Sequence, residues 1–410
     1  MKVLILSQYF WPESFRINEV AQSLRKEGCD VSVLTGHPNY PDGKTFSGYR
    51  AYSWGRQEQD GIHIYRVPLA PRGCGSASKL IANYLSFIVA GSLVGTWLLR
   101  RERFDVVFVY GVSPILKVFP AWVIRRITGG ALVTWVQDLW PASLQVTGFV
   151  RNPRVLRSVA AVVRWLYRRN DLLLVQSCGF IPLVAAMAGP TPVEYHPNPG
   201  ELAFLAAPEC ASALELGPGF TVVFAGNLGT VQALDTVLGA AELLRDASDI
   251  QFVLIGSGSR GDWLQQEVRR IGLTNVRFPG RFPVHAMPGI LVQASVLLVS
   301  LVRDPVLAQT VPSKIQAYLA TGRPIIASLD GEGARVVAES GAGRVCPAED
   351  AVALAEAIRG LRDLSPQARE QMGAAGKAYY LKHFEPTMLA RRLVERFNDL
   401  TRTRLEGSRK

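Results

Sequence analysis

Short apolar runs separated by amphipathic stretches recur along the whole chain. In the first half they are Val3–Leu6, Val31–Leu34, Ile62–Val67, Val106–Tyr110, Ala131–Val136 and Leu172–Val175. In the second they are Phe220–Phe224, Gln251–Ile255, Val276–Phe278, Ser295–Ser300 and Ile325–Ala327. Runs this short and this continuously apolar predict strands buried on both faces of a parallel sheet. Between them, Glu19–Lys26, Gln232–Leu244, Trp263–Ile271 and Pro386–Leu400 carry apolar residues at helical spacing. The alternation predicts two doubly wound α/β domains, each built on a parallel sheet. A stiff turn-rich segment, His196-Pro197-Asn198-Pro199-Gly200, divides them. The expected domains are 1–198 and 199–382, with a helix in 383–410 that packs back toward the first.

A chain of 410 residues exceeds what one core organises, which agrees with the division. Five cysteines and five histidines lie far apart without metal-ligand spacing. They predict reduced thiols, a cytosolic setting and no metal site. The first strand starts at Lys2, which leaves no room for a signal peptide. Formal net charge is +11, an excess that favours anionic partners. Arg151 to Asn170 holds six arginines and no acid, with Leu156, Val159, Val163 and Leu166 on one helical stripe. Leu80–Leu99 is about as long as a membrane-spanning helix needs to be, but Asn83, Ser86, Ser92, Thr96 and two glycines interrupt it. It reads as a buried or membrane-docked helix. A solvated face accounts for the arginines equally well. Nucleic acid is not expected, since no stacking aromatics interleave the basic residues.

The chemistry concentrates in Val311–Ser328. Pro312 and Ser313 open a helix whose first turn offers free N–H groups, a positive dipole end and the Lys314 ammonium, a combination that suits a diphosphate. An ordinary βαβ crossover with a solvated lysine explains the same residues. Other strand ends of the second domain lead into Gly226-Asn227-Leu228-Gly229, Gly256-Ser257-Gly258-Ser259-Arg260 and Gly280-Arg281-Phe282, and Glu332 lies between two glycines. These edges converge on one crevice in folds of this type, basic at Arg260, Arg281, Arg303 and Lys314. Gly256–Gly261 fits the dinucleotide fingerprint, but Val276-Arg277-Phe278 lacks the acid that would complete it. The first domain contributes Glu13, Arg16, Gln137 and Asp138 from its own strand ends.

The order of PE with Arg16, LTGHPNYPDGK, VQDLWP, the PNP linker, AGNLG, LIGSGS and VPSKIQAYLATGRPIIASLDGEG resembles GT-B glycosyltransferases of the large retaining family 4. The similarity is strongest to bacterial sugar transferases of colanic acid, O-antigen and capsule synthesis, L-fucosamine transferases among them. It implies two Rossmann-like domains facing across a cleft and no cofactor. It implies a UDP-linked sugar on the second domain and a polyprenyl-diphosphate acceptor on the first, at the cytoplasmic membrane face. On this reading Asp138, Lys314 and Glu332 are catalytic. Gly226, Asn227, Gly229, Gly256, Gly258, Arg260, Arg281, Ser313 and Gln316 hold the donor, and Glu13, Arg16 and Gln137 the acceptor.

The chain departs from the family pattern at several points. Two glutamates eight positions apart correspond to Ala308 and Gln316, with Gln316 still able to bond a ribose hydroxyl. An Arg/Lys pair on the diphosphate corresponds to Asn227 and Gln232, and a histidine to Gln137. A nucleotide-sugar epimerase of the same fold and a non-catalytic assembly scaffold are the alternatives. Incubation with the nucleotide sugar alone separates the first, and UDP binding the second.

Overall fold

The computed structural model describes residues 1–73, 77–146, 152–204 and 214–407. Cys74, Cys210 and Arg151 lie outside them. The chain forms two compact units: Met1–Pro197 joined by Pro386–Lys410, and Asn198–Glu385. The second unit therefore runs to 385, against the 382 read from the sequence.

The first unit contains β1 (Lys2–Leu6), β2 (Asp30–Thr35), β3 (Gly55–Gln59), β4 (Ile62–Arg66), β5 (Val106–Gly111), β6 (Ala131–Val136), β7 (Leu172–Val175) and β8 (Val193–Tyr195). Their order is β3-β4-β2-β1-β5-β6-β7-β8. Leu6 of β1 pairs with Leu34 on one side and Val109 on the other, so the order reverses at β1/β5. Alternate residues of β1 enter different cores. Leu4 and Leu6 join the helices Ala77–Leu99, Val118–Thr128 and Pro153–Tyr167. Val3 and Ile5 join Arg16–Lys26 and the final helix Pro386–Gly407, whose Phe397 packs edge-on to Phe108 at 5.4 Å.

The second unit contains β9 (Phe220–Ala225), β10 (Ile250–Ile255), β11 (Val276–Gly280), β12 (Val296–Ser300), β13 (Ile325–Ser328) and β14 (Gly343–Cys346) in the order β11-β10-β9-β12-β13-β14. Every pairing is parallel, and the order reverses at β9/β12. In both sheets the carboxyl ends at the reversal open where connecting helices diverge, which leaves room for a ligand.

Two expectations are corrected. The first sheet is not wholly parallel, because β3 runs antiparallel to β4. Its sequence, Gly-Arg-Gln-Glu-Gln, carries no apolar signal, since an edge strand with alternately exposed residues needs none. The apolar segment is not a plain α-helix but contains a π turn at Gly91–Gly95. Ser313 is the first helical residue, as the reading of the helix start allows, and Pro312 is the cap.

Candidate active site

A cleft of about 590 Å³ opens in the second unit at the carboxyl ends of β9, β10 and β11. That volume suits a ligand of nucleotide size. Gly226 and Asn227 follow β9, Gly256 and Ser257 follow β10, and Arg281 and Phe282 follow β11. The helix Ser313–Thr321 points its amino end into the same space with Ser313 and Lys314. Its first turn closes on Ile315 N–H to Pro312 O (2.9 Å), leaving the Ser313 and Lys314 N–H groups as the open donors of the helix start.

Lys314 is the centre of this arrangement. Its Nζ donates to Gln232 Oε1 at 2.7 Å and sits 3.6 Å from the centre of the Phe224 ring. No carboxylate pairs with it among the described residues. Burial lowers its pKa to about 7. A cation held without a counter-anion beside open N–H donors is poised for an anionic ligand. Gly226 makes room for it, because a Cβ there would lie 2.6 Å from Lys314 Cε. Gly256 is required just behind, where a Cβ would collide with the Gly226 carbonyl oxygen. Both glycines have strongly positive φ, 136° and 137°, which side-chain-bearing residues rarely adopt. Tyr318, one turn along, accepts the Ala225 N–H at 2.9 Å and fixes the spacing between helix and strand.

In the first unit the strand ends of β1, β5 and β6 carry a second polar cluster. Asp138 Oδ2 accepts from Ser113 N–H (2.7 Å) and Ser113 Oγ (2.8 Å), and Trp140 Nε1 donates to the same hydroxyl at 2.9 Å. The aspartate thereby ties the loop after β6 to the loop after β5. Glu13 Oε1 accepts the Asn39 and Tyr40 N–H groups, each at 2.7 Å, and burial pushes its pKa up to about 7 against those bonds. Lys117 is fully buried with an unpartnered Nζ; burial brings its pKa down to about 7, opposed by the charge of Asp138.

Two family descriptions together cover most of the chain: "Glycosyl transferase 4-like domain" over residues 14–199 and "Glycosyl transferases group 1" over 219–363. The chain is a GT-B glycosyltransferase. Among curated relatives it is 25% identical over 298 residues to a Pseudomonas aeruginosa protein named as a glycosyltransferase, WbjE, covering 68% of this chain and 72% of that one. It is 25% identical over 341 residues to WcaI of Escherichia coli K12, named as a colanic acid biosynthesis glycosyl transferase, covering 78% and 82%. Solved structures share the fold over nearly the full length. Sucrose-phosphate synthase of Thermosynechococcus elongatus has a TM-score of 0.72 at 16% identity, covering 98% of this chain and 99% of that one. HepE of Anabaena, in complex with UDP, has 0.69 at 13%, covering 97% and 100%.

Of the donor residues expected from the sequence, the glycosyltransferase gathers Gly226, Asn227, Gly256, Arg281 and Ser313 around the cleft, with Lys314 from the expected catalytic set. The others have different positions. Arg260 turns away, making two bonds to Asp235 (2.7 and 3.0 Å) and stacking on Trp263 at 3.8 Å. Arg303 pairs with Asp330 at 3.4 Å. Gln316 cannot meet a ribose, because it is buried and its Nε2 donates to Asn198 O at 3.1 Å. Gly229 and Gly258 pack against the Asn227 side chain behind the cleft wall. Glu332 occupies the first turn of Glu332–Glu339 and bonds Arg335 at 2.8 Å, outside the cleft lining. In the first unit, Glu13 spends its carboxylate on loop amides rather than offering it to an acceptor. Arg16 begins its helix half-buried, and Gln137 stands beside Asp138 with a buried, unpartnered Nε2.

Sequence reasoning missed most of the apolar walls of the cleft: Phe204, Ile255, Val284 and Met287, together with Glu201. Tyr318 had a usable signal, its place one helical turn after Lys314. Among the described residues no cluster of His, Cys, Asp or Glu could hold a metal ion.

Proposed function

We propose that this glycosyltransferase moves a sugar, with retention, from a UDP-linked donor to a polyprenyl-diphosphate-linked acceptor at the cytoplasmic face of the membrane, in the synthesis of a bacterial surface polysaccharide. The observation that carries the donor half is Lys314, an amine without an acid partner at a helix start, laid across Gly226. As the bond between the anomeric carbon and the diphosphate lengthens, negative charge grows on the departing phosphate. Lys314, the Ser313 and Lys314 N–H groups and Arg281 are the donors placed to receive it. Each such contact, made stronger in the transition state, supplies about 2–4 kcal/mol.

HepE supports the choice of nucleotide, having been solved with UDP and with UDP-glucose. WcaI supports the polysaccharide role through its name. The acceptor half is assigned to the first unit, where Asp138 and Gln137 stand at the strand ends. Calorimetric titration with UDP, followed by transfer assays with UDP- and GDP-sugars on a lipid-diphosphate acceptor, tests the reading. Lys314→Ala is expected to cut transfer at least about tenfold with the fold retained. Near-normal turnover in that variant removes Lys314 from the mechanism.

A further inference from the structure

The helix Ala77–Leu99 is patterned on a four-residue repeat. Asn83, Phe87, Gly91 and Gly95 are buried, whereas Ile81, Leu85, Val89, Leu93 and Trp97 are 48% to 69% exposed. An α-helix turns about 100° per residue, so a four-residue repeat drifts about 40° at each step and would wind around the axis. The π turn at Gly91–Gly95 is wider and turns part of that drift back. Its glycines also admit close neighbours, since a Cβ on Gly91 would lie 3.1 Å from Pro120 and one on Gly95 2.8 Å from Leu34. The exposed residues therefore form a continuous apolar ridge about 24 Å long at 1.5 Å per residue.

The surface beside the ridge continues in kind. Trp54 is exposed and meets Trp97 edge-on at 5.2 Å, and Phe119 and Trp165 are exposed on the next two helices of this face. Arginines lie on the rings: Arg100 over Trp97 at 4.8 Å, Arg126 over Trp122 at 4.8 Å, Arg169 over Trp165 at 4.5 Å. None of these three forms an ion pair among the described residues, although Arg125 beside them bonds Asp171. The other face of the sheet differs, for there Arg391 pairs with Glu27 and Arg396 with Glu194. Cations left without acids around an apolar ridge, with tryptophans between, match the layering of an anionic lipid surface.

We propose that this face of the first unit docks on an anionic bilayer, with the helix Ala77–Leu99 lying in the membrane plane and not crossing it. The ridge enters the acyl region, the tryptophans sit at headgroup depth, and Arg100, Arg126 and Arg169 meet lipid phosphates. Crossing would tear out the buried stripe, where Asn83 Nδ2 donates to Ala70 O and Gln8 Nε2 donates to Asn83 Oδ1, both at 2.6 Å. The proposal rests on the lipid-linked acceptor reading. It adds which surface meets the lipid and in what orientation.

The test is flotation of the full chain with vesicles containing phosphatidylglycerol and with pure phosphatidylcholine vesicles, alongside UDP titration of the same samples. Wild type is expected to prefer the anionic vesicles. Leu85→Glu/Val89→Glu/Leu93→Glu is expected to lose at least about tenfold in binding while UDP affinity and far-UV dichroism stay unchanged, because all three side chains face outward. Arg100→Gln/Arg126→Gln/Arg169→Gln should abolish the anionic preference. A fluorophore on Val89→Cys should be quenched by lipids brominated near the headgroup. Undiminished flotation of the triple glutamate variant, equal binding to neutral vesicles, quenching strongest at the bilayer midplane, or a solution dimer dissolved by the glutamates would each overturn the proposal. If flotation follows this pattern but sugar passes only to a water-soluble acceptor, the docking surface stands and the lipid-acceptor reading falls.

Discussion

Lys314 offers the sharpest quantitative prediction, because its amine is both a ligand for the donor phosphates and a group that burial discharges. With a pKa of about 7 in the unliganded protein, against 10.5 for the free side chain, it is about half protonated at neutral pH. A bound diphosphate supplies the missing counter-charge and favours the ammonium, so UDP binding must draw in a proton. At pH 8 the unliganded amine is about one-tenth protonated, and binding should take up about 0.9 proton. Uptake should fall to about 0.5 at pH 7, and affinity should weaken by up to about tenfold per pH unit above that.

The assay is calorimetry of UDP binding at pH 8 in buffers of different ionisation enthalpy, where the terminal phosphate of the nucleotide is already ionised. Lys314→Met should abolish the uptake. The folding linkage has a definite sign. A base whose pKa is depressed by folding destabilises the protein below its unfolded pKa, so the contribution of Lys314 to stability improves as pH rises from about 7 to 10.5. The half-buried residue opens on the cleft, which limits the effect to on the order of 2–4 kcal/mol. Lys314→Met should therefore melt higher than wild type at neutral pH without ligand. Equal proton uptake in wild type and Lys314→Met would refute the reasoning.

The other predictions concern single contacts. Gly226→Ala places a methyl against Lys314 Cε at a φ of 136°, and should destabilise by about 1–3 kcal/mol and weaken UDP binding, read by melting and titration. Arg260→Ala should leave UDP affinity within about twofold, since Asp235 and Trp263 already occupy the guanidinium and an exposed pair contributes little. Glu13 has a pKa raised by folding, so its contribution to stability is present below pH 4.5 and lost as pH rises through about 7. Glu13→Gln keeps an acceptor for the Asn39 and Tyr40 amides and should flatten that dependence in melts from pH 4.5 to 8, while gaining stability at the alkaline end. Asp138→Ala should loosen the Ser113–Trp140 join at a cost of about 1–3 kcal/mol while UDP titration is unchanged, because donor and aspartate belong to different units.

Much of the architecture was legible along the chain because parallel strands are buried on both faces. Continuous apolar runs such as Val3–Leu6 and Phe220–Phe224 therefore announce themselves, and Gly and Pro punctuate what lies between. The helix opening at Ser313 was legible for a similar local reason, since proline, serine, lysine and the closing Gly322 all act within one element. Edge strand β3 was not, because half-exposed polar residues can form a strand only when β4 is there to receive their hydrogen bonds. Side-chain direction was the other thing beyond reach. Arg260 and Arg281 both follow strands at the ligand edge, yet Asp235 and Trp263 draw one away while the other stays on the cleft. Gln316 and Lys314 share a helix, and only the packing of that helix on β9 and the 198–200 segment decides which faces inward. Local composition fixes where strands and helix starts occur, whereas which charged group keeps a partner depends on residues brought close by tertiary folding.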